Sequence, residues 1–196
     1  MGKTSVIYRK EMSTFFNAPS AYIVLVFFLI LAAWFFTSPL FINMQADMSS
    51  LFSIVPILYL FFIPAITMGT LSKEKSNGTI ETLATLPLTD SEVVMGKFWA
   101  SLAFVGTGLL FTLVHFFTIL ILGTNVDVGA AITGYLGLVL IGAVYTAIGI
   151  FASSVTTNQI LAFIIGFFIS LFFFFIGYSL IFIPSGLVGI FQYLSI

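Results

Sequence analysis

The sequence predicts an all-α, polytopic membrane protein with five transmembrane helices in a single domain, residues 1–196. Three observations predict it. Charged residues make up 7% of the chain and hydrophobic residues 60%, with 25 Phe, whereas a soluble domain uses about 25% charged residues to cover its surface. Long charge-free runs recur at the roughly 20-residue length a helix needs to cross the hydrocarbon. All six Lys and Arg residues fall before the first run or between the second and third, the one-sided bias that orients membrane proteins.

Residues 4–18 precede the first span. Tyr8, Met12, Phe15 and Phe16 recur at i, i+4, i+7 and i+8, with Arg9, Lys10 and Ser13 opposite. That pattern predicts an interfacial amphipathic helix, which serves a plain anchor as well as a functional elbow. Asn17-Ala18-Pro19 then breaks it. The predicted spans are residues 21–40, with Pro39 near the end; 51–71, with Pro56 and Pro64 inside; 98–122; 129–152; and 159–181. The first apolar run is too long for a signal-peptide core, and no small-residue cleavage site follows it. Residues 182–196 are apolar but broken by Pro184, Ser185 and Gly186. They predict an outer re-entrant segment, tolerated where its backbone lines a cavity or is buried in protein.

Lys3, Arg9 and Lys10 precede the first span, and Lys73, Lys75 and Lys97 lie between the second and third. The loops 42–50 and 123–128 carry only Asp47 and Asp127. The N-terminus, the 73–97 region and the turn at 153–159 are therefore expected in the cytoplasm.

Several chemistries are excluded or disfavoured. With no Cys, disulfides, thiolate catalysis and Cys-based metal sites are absent, and one His cannot build a metal cluster alone. A net charge of −1 leaves no basic footprint for nucleic acid. Gly2-Lys3-Thr4 lacks the strand and glycine that precede a phosphate-binding loop. Asn77-Gly78-Thr79 is a glycosylation sequon on the cytoplasmic side. Ion-coupled carriers and channels place acids or bases near the midplane; here only His115 lies mid-span, expected as a neutral hydrogen-bonding group between helices. An intramembrane protease would need a Ser partner for it, or paired Asp. A secondary transporter, a channel or a non-transporting scaffold remains the alternative. Gly129, Thr133 and Gly137 form a small-residue stripe, expected to pack within the chain. Phe172 to Phe175 read as packing or lipid contact.

The most specified stretch is the polar island 73–97, which holds Lys73, Glu74, Lys75, Glu81, Asp90, Glu92 and Lys97 of the chain's six basic and seven acidic residues. It is long for a plain connector. Gly78-Thr79 can open a short helix with Ile80, Leu83 and Ala84 on one face and Glu81, Thr82 and Thr85 on the other, ended by Pro87. Thr89 as N-cap with Glu92 three residues on is a capping box, and Leu88 with Val93 the matching hydrophobic staple. The third span is thus expected to start as a helix in the cytoplasm.

These residues resemble the cytoplasmic coupling region of type-2 ABC-transporter permeases: Glu74, then Gly78-Thr79, Glu81 and Leu83, then Pro87, then Gly96-Lys97. Residues 9–23, RKEMSTFFNAPSAYI, are similar to that family's elbow helix, and LPLTDSEVVMGKFWASL is similar to its gliding-motility and nitrous-oxide-maturation branch. The resemblance implies the membrane subunit of an ATP-driven exporter in the bacterial inner membrane. It implies no catalytic residue, metal or cofactor in this chain, ATP and Mg being handled by a dimeric partner ATPase. A second permease unit, the same or a different chain and with or without a large external domain, would complete the path. Glu74, Gly78, Thr79, Ile80, Glu81, Leu83, Leu86 and Pro87 would then couple to the ATPase, Thr89, Glu92, Gly96 and Lys97 would lead into the third span, and Pro184 and Gly186 would belong to an outer gate. The sequence departs from the family at Lys75-Ser76-Asn77, where an Arg is usual. A guanidinium makes a bidentate pair that an ammonium cannot. The family also carries a sixth span, expected beyond residue 196.

Overall fold

A computed structural model of the chain describes residues 3–43, 48–84, 88–123 and 127–179. They form eight helices: α1 Lys3–Asn17, α2 Pro19–Asn43, α3 Ser49–Thr67, α4 Ser72–Ser76, α5 Thr79–Ala84, α6 Asp90–Leu122, α7 Val128–Val155 and α8 Gln159–Ser179. No strand occurs among the described residues. Five of the helices, α2, α3, α6, α7 and α8, are long and apolar enough to cross a membrane, so the all-α polytopic class holds.

The bundle is built around α3, which packs against α2, α6, α7 and α8. Half of its membrane segment is buried, against 22% for α2 and α8. Leu51, Val55, Leu58, Tyr59, Phe62 and Ile63 are buried on several sides of it, leaving only a narrow exposed stripe of Ser53, Ile57 and Phe61, the pattern of a mostly buried helix. By contrast α2 buries Phe28, Ala32 and Phe36 and exposes Ile23, Phe27, Ile30 and Trp34 on the other side. Phe28 stacks on Tyr59 and meets Phe62 edge-on, the offset and T-shaped geometries that aromatic quadrupoles favour.

The second predicted span ends earlier than its apolar run. Helix α3 stops at Thr67 and the chain turns at 68–71 into α4. Pro64 withholds a backbone donor in the last turn, and Thr67 Oγ1 turns back to donate to Ile63 O at 2.8 Å. Helix α6 is longer than its predicted span: at 33 residues it measures about 50 Å, against about 30 Å of hydrocarbon.

Two side-chain expectations are corrected. His115 Nδ1 lies 3.1 Å from Thr112 O of its own helix. Its contact across helices is with the Phe36 ring, 4.6 Å between centroids, because the facing side of α2 is aromatic. The stripe of Gly129, Thr133 and Gly137 faces away from the rest of the chain: Gly129 and Thr133 are exposed, and a Cβ at Gly137 would meet nothing within 4 Å. The close packing of α7 uses Gly134, Gly142 and Gly149 instead. Residues 180–196, with Pro184 and Gly186, lie outside the described residues.

Candidate coupling site

All six basic residues sit on α1, α4 and the first turns of α6. These segments gather at one end of the bundle, with the end of α7 and the start of α8. Lys75 donates to Ser154 O there, and the Gln159 side chain abuts Gly69.

Helix α1 lies along α6. Its inward residues are Ile7 and Glu11, both buried, flanked by Tyr8, Met12 and Phe15, while Phe16 is exposed to 38%. The buried face is thus rotated from the purely apolar one the sequence predicted, and an acid stands at its centre. Contact is close because Gly96 has no side chain: a Cβ there would sit 2.7 Å from Ile7 Cβ and 3.1 Å from Thr4 O. About two helical turns beyond, Phe15 stacks on Phe104 at 5.2 Å.

Lys97 follows Gly96 and is 1% exposed. The 73–97 island is therefore not a uniformly solvated surface, since its last cation is interior. Lys97 Nζ donates to Glu11 Oε1 at 2.8 Å and to Thr70 O at 2.6 Å, and pairs with Glu74 Oε2 at 3.0 Å. The Glu74 contact is an ion pair rather than an aligned hydrogen bond. Lys10 closes the cluster from outside, 2.8 Å from Glu74 Oε1 and 3.6 Å from Glu11 Oε1. One ammonium thus joins α1, the α3–α4 turn, α4 and α6. Such a charge is tolerated inside only because its protons find acceptors, and removing one partner leaves others buried unpaired. Partial burial pushes the Lys10 pKa down, but the hydrogen bond and charge of Glu74, with Glu11, outweigh it and hold the ammonium above its ordinary value.

Beyond the cluster the chain turns outward. Gly78 ends α4 with φ of +70°, the left-handed cap conformation that favours glycine. Its N–H donates to Lys75 O at 3.2 Å, and Thr79 Oγ1 donates back to Glu74 O at 3.2 Å. Helix α5 follows, with Gly78, Thr79 and Glu81 exposed and Ile80 half-buried. Leu83 lies on α5; Leu86 and Pro87 fall outside the described residues. The predicted capping box at the start of α6 is present: Glu92 N–H donates to Thr89 Oγ1 at 3.3 Å and Thr89 N–H to Glu92 Oε2 at 2.9 Å. That backbone hydrogen bond holds the Glu92 carboxyl below its ordinary pKa, with the Lys3 charge a smaller contribution.

The family described as ABC-2 family transporter protein matches residues 5–189. The chain belongs to this family. It is therefore the membrane-spanning permease subunit of an ABC transporter, a multi-pass protein of a class that is generally not itself enzymatic. No curated protein and no solved structure matches the chain.

In this permease the predicted residues divide into three groups. Glu74, Gly96 and Lys97 meet in the interior cluster. Gly78, Thr79 and Glu81 project on the α4–α5 segment, and Thr89 and Glu92 cap α6. Sequence reasoning missed Glu11. The available signal was its spacing, four residues from both Ile7 and Phe15, which puts a carboxylate on the buried stripe.

Proposed function

We propose that this permease subunit belongs to an exporter energised by a separate dimeric ATPase, which docks on the 73–97 region. Glu81 and Leu83 on α5 contact the ATPase groove, and Gly78 with its positive φ sets the angle at which α5 leaves α4. ATP and Mg stay in the partner. The observation that carries this reading is the Lys97 cluster. An exposed segment is fastened by a buried ammonium to both α1 and the first turns of α6, so a push on α4–α5 reaches a transmembrane helix without an intervening flexible loop. The capped first turns of α6 stiffen the same path.

A second permease unit completes the path, because five spans enclose too little space for a sizeable cargo. Likeness to the gliding-motility branch in residues 86–102 favours a different chain with an external domain as that unit. By the positive-inside bias the basic end is cytoplasmic, with the N-terminus, in the bacterial inner membrane.

Leu83→Asp tests the docking reading. A charge in an apolar groove is desolvated at a cost of about a few kcal/mol, so the variant should insert normally and lose ATPase co-purification or coupled transport. A variant complex that assembles and transports like the parent removes the assignment. Because the chain has no native Cys, orientation is tested separately. Cysteines at Asp47 or Asp127 should react with impermeant reagents from outside, and one at Ser76 should not.

A further inference from the structure

The α3–α4 corner is held from the far side by one hydroxyl. Ser153, near the end of α7, is fully buried. Its Oγ accepts from Leu71 N–H at 3.0 Å and from Ser72 N–H at 2.9 Å, and donates to Met68 O at 2.8 Å. A serine hydroxyl has one proton and two lone pairs, so all of its capacity is spent on the backbone of a single turn. That turn needs it. Leu71 is the N-cap of α4 and supplies no side-chain cap, and the first N–H groups of a helix have no partner within the helix.

Two neighbours tighten the same joint. Gly149, one turn back on α7, brings its backbone against the end of α3 so closely that a Cβ would overlap the Thr67 hydroxyl. Lys75, in the middle of α4, donates to Ser154 O on α7. The segment proposed to meet the ATPase is therefore bonded to α7 as well as to α6.

We infer that Ser153 is a positioning residue that pins the α3–α4 corner to α7, giving the coupling segment a second fixed attachment beside Lys97. The pinning stands on the geometry above; its use in transmission rests on the docking reading proposed for residues 73–97. Motion of α4 would displace the end of α7 together with α6, so that two transmembrane helices move as one body. Ser154 is the natural control, since its hydroxyl donates only within its own helix, to Phe151 O at 2.7 Å.

The test uses the full-length chain in lipid nanodiscs, with spin labels on cysteine pairs introduced into the cysteine-free background. One pair, Ser76 with Thr157, spans α4 to the turn that follows α7; the other, Ser76 with Ser91, spans α4 to α6. Ser153→Ala should broaden the 76–157 distance distribution and leave 76–91 at its parent width. It should also speed amide exchange at Leu71 and Ser72 by about tenfold or more, the loss expected for an unmade buried bond. Ser154→Ala should change neither distance. Ser153→Thr and Ser153→Val differ only by hydroxyl against methyl, so the same contrast between them keeps the test decisive if the alanine variant fails to fold. The inference is overturned if 76–157 is unchanged without the hydroxyl, or if 76–91 broadens equally. Adding ATP and the co-purified ATPase then separates the two readings. If nucleotide moves neither pair in the parent protein while Ser153→Ala still broadens 76–157, the pinning stands and the docking reading falls.

Discussion

At the basic end of the bundle, one buried ammonium holds four segments through two carboxylates and a carbonyl. In the opposite half of the same helices, polar groups are few and mostly answer to their own backbone. Thr112 Oγ1 donates to Leu109 O, His115 stays on Thr112 O, and Tyr135 OH donates to Thr112 O at 3.1 Å across to α6. What holds that half is packing, as where Phe36 meets His115 and Phe52 meets Tyr135 edge-on. Ion pairs and hydrogen bonds are directional and fix one register, whereas apolar packing between helices is graded and tolerates small sliding. If the docking reading proposed above holds, the directional contacts lie at the end that meets the ATPase.

The sharpest way to break this contrast is at Lys97. Lys97→Met leaves Glu11 and Glu74 with only the exposed Lys10 as a shared cation, a loss of up to about 3–5 kcal/mol by analogy with broken buried pairs. Lys73→Met, at an exposed position on the same short helix, should fall within about 0.5 kcal/mol of the parent. Thermal unfolding in detergent reads both. Equal midpoints for the two variants would show that the cluster carries no structural weight. His115→Phe, in the opposite half, should be nearly silent, since the ring contact with Phe36 survives.

Next in size is Gly96 against Gly137, two glycines on helices that differ in what faces them. Gly96→Ala drives a methyl into Ile7 and the Thr4 carbonyl, which costs about 1–3 kcal/mol or lifts α1 away from α6. Gly137→Ala enters open space and should be neutral or slightly stabilising through helix propensity. Labelling of a cysteine at Met12, half-buried in the parent, separates lifting from simple destabilisation, because only lifting opens it to reagent well below the unfolding midpoint.

How much of this was legible in the sequence follows the range of each interaction. The capping box at Thr89 and Glu92 was readable because its partners are three residues apart. The five spans were readable because hydropathy is a local sum. The end of α3 at Thr67 was not, since the apolar run continues past it, and the turn is set by Pro64, the Thr67 hydroxyl and Ser153 of α7 together. The Lys97 cluster was only half legible. Gly96-Lys97 stood out, yet its partner Glu11 lies 86 residues away in sequence. Lys97 does begin the stripe of Ala100, Ser101 and Phe104, all buried, at helical spacing. That stripe placed the lysine inward, although its charge had suggested solvent. The outward stripe on α7 was misread because small residues permit close packing without saying with what.

A smaller effect tests the start of α6. Thr89→Ala removes the acceptor for the Glu92 N–H and costs about 1 kcal/mol. Exchange at the amides of residues 91–93 should rise while that of residues 100–104 stays unchanged, because fraying is confined to the first turn. Fraying that spreads past Lys97 would mean that the cluster does not clamp α6.

The smallest effect is titration, and it separates the cap from the cluster by direction. Glu92 has its pKa lowered by the Thr89 N–H, so its contribution is present above the unfolded-state value of about 4.3. It is lost as pH falls through the lower folded value. Lys10 has its pKa raised, so its contribution is present below the unfolded-state value of about 10.4 and is lost as pH rises through the higher folded value. With its side chain 53% exposed, Lys10 is screened, and its pair with Glu74 is worth at most about 1 kcal/mol. The stability gap between the parent and Lys10→Gln should therefore persist from neutral pH into mild alkali, shrink in added salt and close in strong alkali. The gap to Glu92→Gln should instead close in acid. A Lys10→Gln gap that added salt leaves unchanged would mean that the packing of the lysine stem, rather than its charge, makes the contribution.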